Sequence, residues 1–321
     1  MRFVTKRLIH VVLLLLAVSF LSFGLLQVAP GDYFDSLRMN PQVSAQTVEK
    51  LRAEYGLGRP LAVRYALWLR DVSRWELGYS IASNSPVSAL VAVRARNTLL
   101  LSGAATVLAW LLALPLGVWS AAKPGGWLDR TAGVATSAMV TIPDLLLFLA
   151  LLLLAVRTNW FPTGGMMSLS GEEAGSFWAS CKDVAFHLIL PACGLAAAML
   201  PLLVRHVRAA TIEALGSPFM RAARGHGISG ARLLFRYALP AASNPLISLL
   251  GFSVGTMLST SMIAEIVLSW PGLGTLMLES IFARDSYVVV AIVMLSSVFL
   301  LAGNLLADLL LFASDPRIRT E

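Results

Sequence analysis

The apolar positions of this chain gather into runs of membrane length, separated by shorter polar stretches. Leu8 to Val28 is the first run, close to the roughly 20 residues a helix needs to cross the hydrocarbon core of a bilayer. Further runs cover 97–121, 131–156, 186–207, 241–268 and 286–312. The pattern predicts six transmembrane helices. Pro115, Pro143, Pro191, Pro201 and Pro245 fall inside these runs, which membrane helices tolerate because neighbouring helices re-satisfy the freed backbone groups. The first run is longer than the roughly 7–15 apolar residues of a signal peptide, and no small-x-small cleavage site follows it. It reads as a retained first helix.

Two polar stretches carry structure of their own. Between the first and second runs, "SAQTVEKLRAEYGLGRP" reads as a helix begun by Ser44 and stopped at Gly56, and Pro60 suits the first position of another. Tyr65, Trp68 and Trp75 are mixed with arginines there, as at a membrane–water interface. The second stretch leaves the fourth run. Gly216 can close a helix, Ser217 can cap the next, and Pro218 can open it. A short helix from Pro218 to about Arg224 is predicted, then a reversal at Gly225 and Gly227, then a helix from Ser229 to Leu239 with Pro240 closing the stretch. Helical caps suggest a shaped knob. Docking to a soluble partner and lying on anionic lipid both fit that chemistry.

Composition supports the membrane class. Of 321 residues, 57% are hydrophobic and 13% charged, against about 25% charged in soluble domains. The net charge of +7 then orients the chain. With the N-terminus inside, the inner segments hold 13 lysines and arginines, among them Arg2, Lys6, Arg7, Lys123, Arg130, Arg205, Arg208, Arg221, Arg224, Arg232, Arg236, Arg317 and Arg319. The short outer loops hold only Arg157, Lys182 and Arg284. The long first loop holds nine more, but long loops translocate largely regardless of charge. Both termini are therefore expected in the cytoplasm. The expected organisation is a stub and first helix (1–30), an outer helical subdomain (31–96), a transmembrane core (97–312) with a cytoplasmic loop at about 209–240, and a cytoplasmic tail (313–321).

Catalytic and metal chemistry find little support. Cys181 and Cys193 form no zinc pattern and read as packing residues. His10, His187, His206 and His226 do not pair at metal-ligand spacing, so no metal site is expected. None of the four lysines follows a glycine, so the phosphate-binding Gly-Lys pattern is missing. Polar groups within the runs are functional candidates instead: Asp144 after Pro143, Glu265 late in the fifth run, Asp308 late in the sixth, and Asn304 four residues before it on the same face. Asp308 is placed to pair with Arg317, Arg319 or a partner. In the last outer loop, "SWPGLG" reads as a tight turn at Pro271, Gly272 and Gly274, with Trp270 anchored at the bilayer interface.

The knob carries a more specific pattern. Ala222, Ala223, Gly227, Leu239 and Pro240 stand in the spacing of E-A-A-x3-G-x9-I-x-L-P. This resembles the cytoplasmic "EAA" loop of ATP-binding-cassette importer permeases. Arg221 stands where that motif has glutamate, and Tyr237 where it has isoleucine. "YGLGRPLAVRYALWL", "ELGYSIASNSPV", "AEIVLSWPGLGTL" and "DLLLFASDPRIR" look like blocks of the dipeptide, oligopeptide and nickel branch, in the member with a long first outer loop. The resemblance covers nearly the whole chain.

What the resemblance implies is an all-α integral membrane protein of six spans with the type I importer permease fold and a small outer helical subdomain. It implies a second homologous permease, two ATPase subunits that bind ATP and magnesium, and an extracytoplasmic solute-binding protein as partners, in a bacterial or archaeal inner membrane. Arg221, Ala222, Ala223, Gly227, Leu239 and Pro240 would form the ATPase-coupling loop, with Ala223 and Gly227 facing a groove on the ATPase. Trp270, Pro271, Gly272 and Gly274 would lie near the outer gate. No cofactor is expected in this chain. An ion-coupled transporter or channel using Asp144, Glu265 and Asp308 is the alternative. A membrane enzyme would need clustered groups at one depth, which the sequence does not present. Peptides, nickel chelates and glutathione-like compounds all remain open as substrates.

Overall fold

The structure is a computed structural model that describes residues 2–28, 34, 44–54, 59–168 and 176–314, without the side chains of 2–8, 27, 45, 51, 52 and 54. The expected stop at Gly56, the basic residues Arg317 and Arg319, most of the tail 313–321 and the side chains of Arg2, Lys6 and Arg7 lie outside the described residues. The described elements run α1 (Arg2–Val28), α2 (Ala45–Glu54), α3 (Leu61–Val72), β1 (Tyr79–Ser80), β2 (Ser85–Pro86), α4 (Val87–Ala122), α5 (Trp127–Thr141), α6 (Asp144–Thr158), α7 (Phe177–Gly216), α8 (Pro218–Gly225), α9 (Gly230–Leu233), a π turn (Leu234–Ala238), α10 (Leu239–Ala241), α11 (Ser243–Val267), α12 (Leu273–Phe282) and α13 (Ser286–Ser314).

Among the described residues, five helices are long and apolar enough to span a membrane: α1, α4, α7, α11 and α13. The run expected as one helix over 131–156 is instead the pair α5 and α6, bent by 97°. A proline pushes the residue before it out of the helical region. Ile142 accordingly lies at φ −86°, ψ 118°, and Pro143 is extended as well, so the chain turns before α6 begins. Pro115, Pro191 and Pro201 stay within continuous helices.

The chain packs as two compact units: Met1–Thr98 with Pro271–Phe299, and Leu99–Trp270 with Leu300–Glu321. In the former, α3 lies on α1. Phe23, Trp68 and Val290 are buried together, with Tyr65 and Tyr287 against them. The Tyr65 hydroxyl is 2.9 Å from that of Ser19, and the rings of Phe23 and Trp68 are 5.0 Å apart. Tyr65 and Trp68 thus pack against the first helix rather than marking a bilayer surface, while Trp75 is 89% exposed. Ser44 does cap α2, its Oγ accepting from the Thr47 amide at 3.1 Å. Pro60 sits one place earlier than expected, as the cap of α3. The β1–β2 hairpin pairs Tyr79 with Pro86.

In the other unit, α7 is the hub. Leu195, Leu203, Phe148, Met257 and Trp270 are fully or nearly fully buried in one cluster with Leu101 and Ala105 of α4. The burial of α7 leaves only a narrow exposed strip, which includes Ile189 and Cys193. Ala192, Gly194 and Leu195 point inward, and Cys193 between them points out. Cys181 and Cys193 are both exposed free thiols, not the packing residues expected. Gly251 of α11 sits where an added Cβ would collide with the Ala307 methyl of α13. Such small-residue contacts let membrane helices approach closely.

Candidate functional site

The basic loop is built from its caps outward. The Ser217 hydroxyl accepts from the Met220 amide at 3.4 Å, with Pro218 in the first turn of α8. One face of this eight-residue helix is buried: Met220 and Ala223 meet Leu233 and Ala238, with Leu215, Ile228 and Tyr237 at the edge. The loop therefore has a small core of its own. Its other face carries Arg221, Ala222, Arg224 and His226, all exposed, and Phe219, 53% exposed.

The reversal follows at Gly227. The Gly227 amide donates to the Arg224 carbonyl at 2.9 Å, and the Ile228 amide to that of Ala223 at 3.2 Å. Gly227 adopts φ +80°, a conformation that glycine reaches without a Cβ penalty. Two details depart from expectation. Ala223 faces the internal core, so only its neighbour Ala222 is available to an outside partner. The helix expected over Ser229 to Leu239 is a short α9 followed by the π turn, and Ser229 makes no side-chain cap. The π bond runs from the Leu239 amide to the Leu234 carbonyl. Pro240 has no amide to give and crowds the carbonyl four residues back, and a wide turn before it relieves that crowding.

The "SWPGLG" stretch is more than a turn. Ser269 takes φ +52°, and the Trp270 amide donates back to the Glu265 carbonyl at 2.9 Å. Trp270 is fully buried in the α7 cluster, not an interface anchor. A tryptophan beside Pro and Gly reads as an anchor in sequence, because the loop at 159–168 that packs against this turn is distant in the chain. Gly165 donates to the Ser269 carbonyl at 3.1 Å. Beyond the turn, the Pro271 carbonyl accepts from Asn97 Nδ2 at 2.8 Å. Thr98 Oγ1 accepts from the Leu273 amide at 2.8 Å, satisfying the N-terminus of α12. Gly272 caps that helix, and Gly274 is buried in it. Neither Asn97, Thr98 nor α12 is signalled by local pattern, since the first two look like ordinary polar residues at a span end.

The intramembrane candidates are separated. Asp144 is the first residue of α6, at the bend, and borders a cavity of about 270 Å³ with Met139, Met199, Thr256 and Thr260. Glu265 is fully buried late in α11. Asn304 is exposed and Asp308 half-buried on α13. Neither Glu265 nor Asp308 borders the Asp144 cavity. Among the described residues, no three His, Cys, Asp or Glu side chains stand close enough to share a metal ion.

Residues 113–320 match the family model of binding-protein-dependent transport system inner membrane components, and residues 1–102 match the N-terminal model of such membrane components. The chain belongs to this family. Among its relatives within the permease family is the oligopeptide transport system permease protein AppB of Bacillus subtilis, 35% identical over 318 residues and 98% of each chain. The glutathione transport system permease protein GsiC of Salmonella typhimurium is 31% identical over 320 residues, covering 99% of each. Two inward-facing crystal structures of the MetNI methionine ABC transporter superpose with TM-scores of 0.57 and 0.58, at 17% and 18% identity. Each alignment covers 70% of this permease and 96% of the other chain. The permease therefore has the fold of an ABC importer membrane subunit.

Proposed function

We propose that this chain forms half of the translocation pathway of an ABC importer for peptides or glutathione-like solutes, and couples that pathway to separate ATPase subunits. The observation that carries the coupling is α8. It is a capped helix with its own core and an exposed face of Phe219, Arg221, Ala222 and Arg224. A loop serving only charge orientation needs no such core, because ordering it costs conformational entropy. A helix held rigidly can transmit movement of a partner to α7 and α11 as a rigid-body displacement.

In this reading the basic loop and both termini lie in the cytoplasm, because basic residues are retained there, and the host is a bacterial or archaeal inner membrane. ATP and magnesium belong to the ATPase partners. A second permease completes the pathway, and an outer binding protein delivers solute near Trp270 to Gly274. The peptide assignment rests on relatives named for oligopeptide and glutathione transport.

The test uses the complete transporter with Cys181 and Cys193 replaced by alanine and Ala222→Cys introduced. The expected outcome is a short thiol-to-amine crosslink from residue 222 to an ATPase subunit, and solute uptake that requires ATP. Uptake driven by an ion gradient without ATPase subunits, and no crosslink, would overturn the proposal in favour of ion coupling through Asp144, Glu265 and Asp308.

A further inference from the structure

A second polar cavity, of about 300 Å³, opens between the end of α4, residues 129–137 of α5 and residues 204–208 of α7. It lies outside the coupling helix, the "SWPGLG" turn and the Asp144 cavity. Its wall carries Arg205 and Arg208 from α7, Asp129, Gly133 and Thr136 from α5, and Ser120 from α4.

The charges there do not cancel. Asp129 is engaged by one arginine: Arg208 Nε reaches Oδ1 at 2.5 Å and Arg208 Nη2 reaches Oδ2 at 2.9 Å. The Gly125 amide donates to the same carboxylate at 2.8 Å. Arg205 faces no carboxylate in the cavity wall and donates to the Ser137 hydroxyl at 3.0 Å. A guanidinium carries five N–H donors in a planar fork suited to phosphate. Two guanidinium groups against one carboxylate leave one net positive charge.

Two further observations point to an occupant. Ser120 borders the cavity, and its fully buried hydroxyl has no hydrogen-bond partner among the described residues. A buried hydroxyl left unmade costs stability, and most have a partner. Gly133, on the same wall, has no atom within 4 Å of where a Cβ would stand, so the backbone there leaves room for a ligand to approach. The cavity also lies at the same ends of its helices as the Lys123–Gly126 connection and the basic loop. Basic pockets between spanning helices at a cytoplasmic surface suit anionic headgroups.

We propose that this cavity binds a phosphate group, presented by an anionic phospholipid headgroup or by a soluble phosphate ester. Arg205 supplies the uncompensated charge, the free N–H groups of Arg208 a second contact, and Ser120 a hydroxyl donor. A singly charged phosphodiester matches the net charge of the wall.

The experiment uses the assembled transporter in native mass spectrometry, titrated with phosphatidylglycerol, with phosphatidylcholine, or with glycerol 3-phosphate in a phosphatidylcholine background. Gly133→Leu fills the cavity and keeps every charge; Ser120→Ala removes the hydroxyl and keeps the packing; Arg205→Gln removes the charge. The wild type is expected to hold at least one phosphate ligand more per copy than Gly133→Leu, with affinity reduced about tenfold or more in Arg205→Gln. Excess phosphatidylglycerol unaffected by glycerol 3-phosphate identifies the lipid source. Glycerol 3-phosphate retention, with or without displacement of lipid, identifies the soluble one. Ligand retention equal in the wild type and in correctly assembled Gly133→Leu and Arg205→Gln transporters, or retention in none of them, overturns the proposal.

Discussion

The indole N–H of Trp110 donates to the hydroxyl of Ser253 at 3.0 Å, joining α4 to α11 amid apolar side chains. Ser253 is fully buried, and its hydroxyl donates in turn to the Leu250 carbonyl at 2.7 Å. Interhelical hydrogen bonds of this kind in membranes are worth about 0.6 kcal/mol on average and up to about 1.7. Trp110→Phe and Ser253→Ala, singly and together, are therefore expected to show a coupling energy of about 1 kcal/mol in a double-mutant cycle on denaturation in detergent. Strictly additive losses would show that the bond contributes nothing.

Gly251 and Ala307 touch so closely that α11 and α13 tolerate nothing larger there. Gly251→Ala should cost about 1–3 kcal/mol through overpacking, read as a lowered thermal midpoint of the purified complex. Ala307→Gly in the same chain should recover most of it, which a general helix-propensity effect would not do.

Adjacent alanines in the basic loop should behave oppositely. Ala223 is enclosed with Met220, Leu233 and Ala238, whereas Ala222 is exposed. Ala223→Leu should loosen the loop, costing about 1–3 kcal/mol and raising protease sensitivity near Gly227. Ala222→Leu should leave protease resistance unchanged and alter ATPase copurification instead. Equal protease sensitivity in both variants would contradict the buried and exposed assignment.

Asp285 immediately precedes α13 and ties it to the β1–β2 hairpin. Its carboxylate accepts from Ser80 Oγ at 2.6 Å and lies 3.5 Å from the Val288 amide. Asp285→Ala removes both a helix cap and a buried acceptor, a loss of about 1–3 kcal/mol. Hydrogen exchange should rise at residues 79–86 and in the first turn of α13, with α11 unaffected.

Much of this was open to a reader of the sequence, and the exceptions share a cause. Spans, caps and the glycine reversal are local: Ser217, Pro218 and Gly227 act on their immediate neighbours. Hydropathy counts residues but not direction, so it joined α5 to α6 across Pro143, where the chain turns by 97°. Trp270 reads as an interface anchor because the cluster that buries it, Phe148 and Leu195 included, comes from segments far away in sequence. Cys193 reads as a packing residue because an apolar run does not reveal which positions of α7 stay exposed. Asn97 and Thr98 gave no local sign that they hold a turn 174 and 175 residues later.

The π turn at Leu234–Ala238 bears on how this loop can vary. It accommodates one residue beyond an α-helical turn, and each residue in a helix advances the side-chain direction by about 100°. A π turn winds less per residue, so the extra residue is absorbed locally and the flanking segments keep their facing. Trimming a single residue there would restore ordinary winding with the exposed face of α8 still aimed much as before, whereas the same deletion within the regular helix α11 would swivel everything before it by that angle. Length is thus buffered at this one point, and a one-residue deletion in the π turn should do less harm than the same deletion in α11.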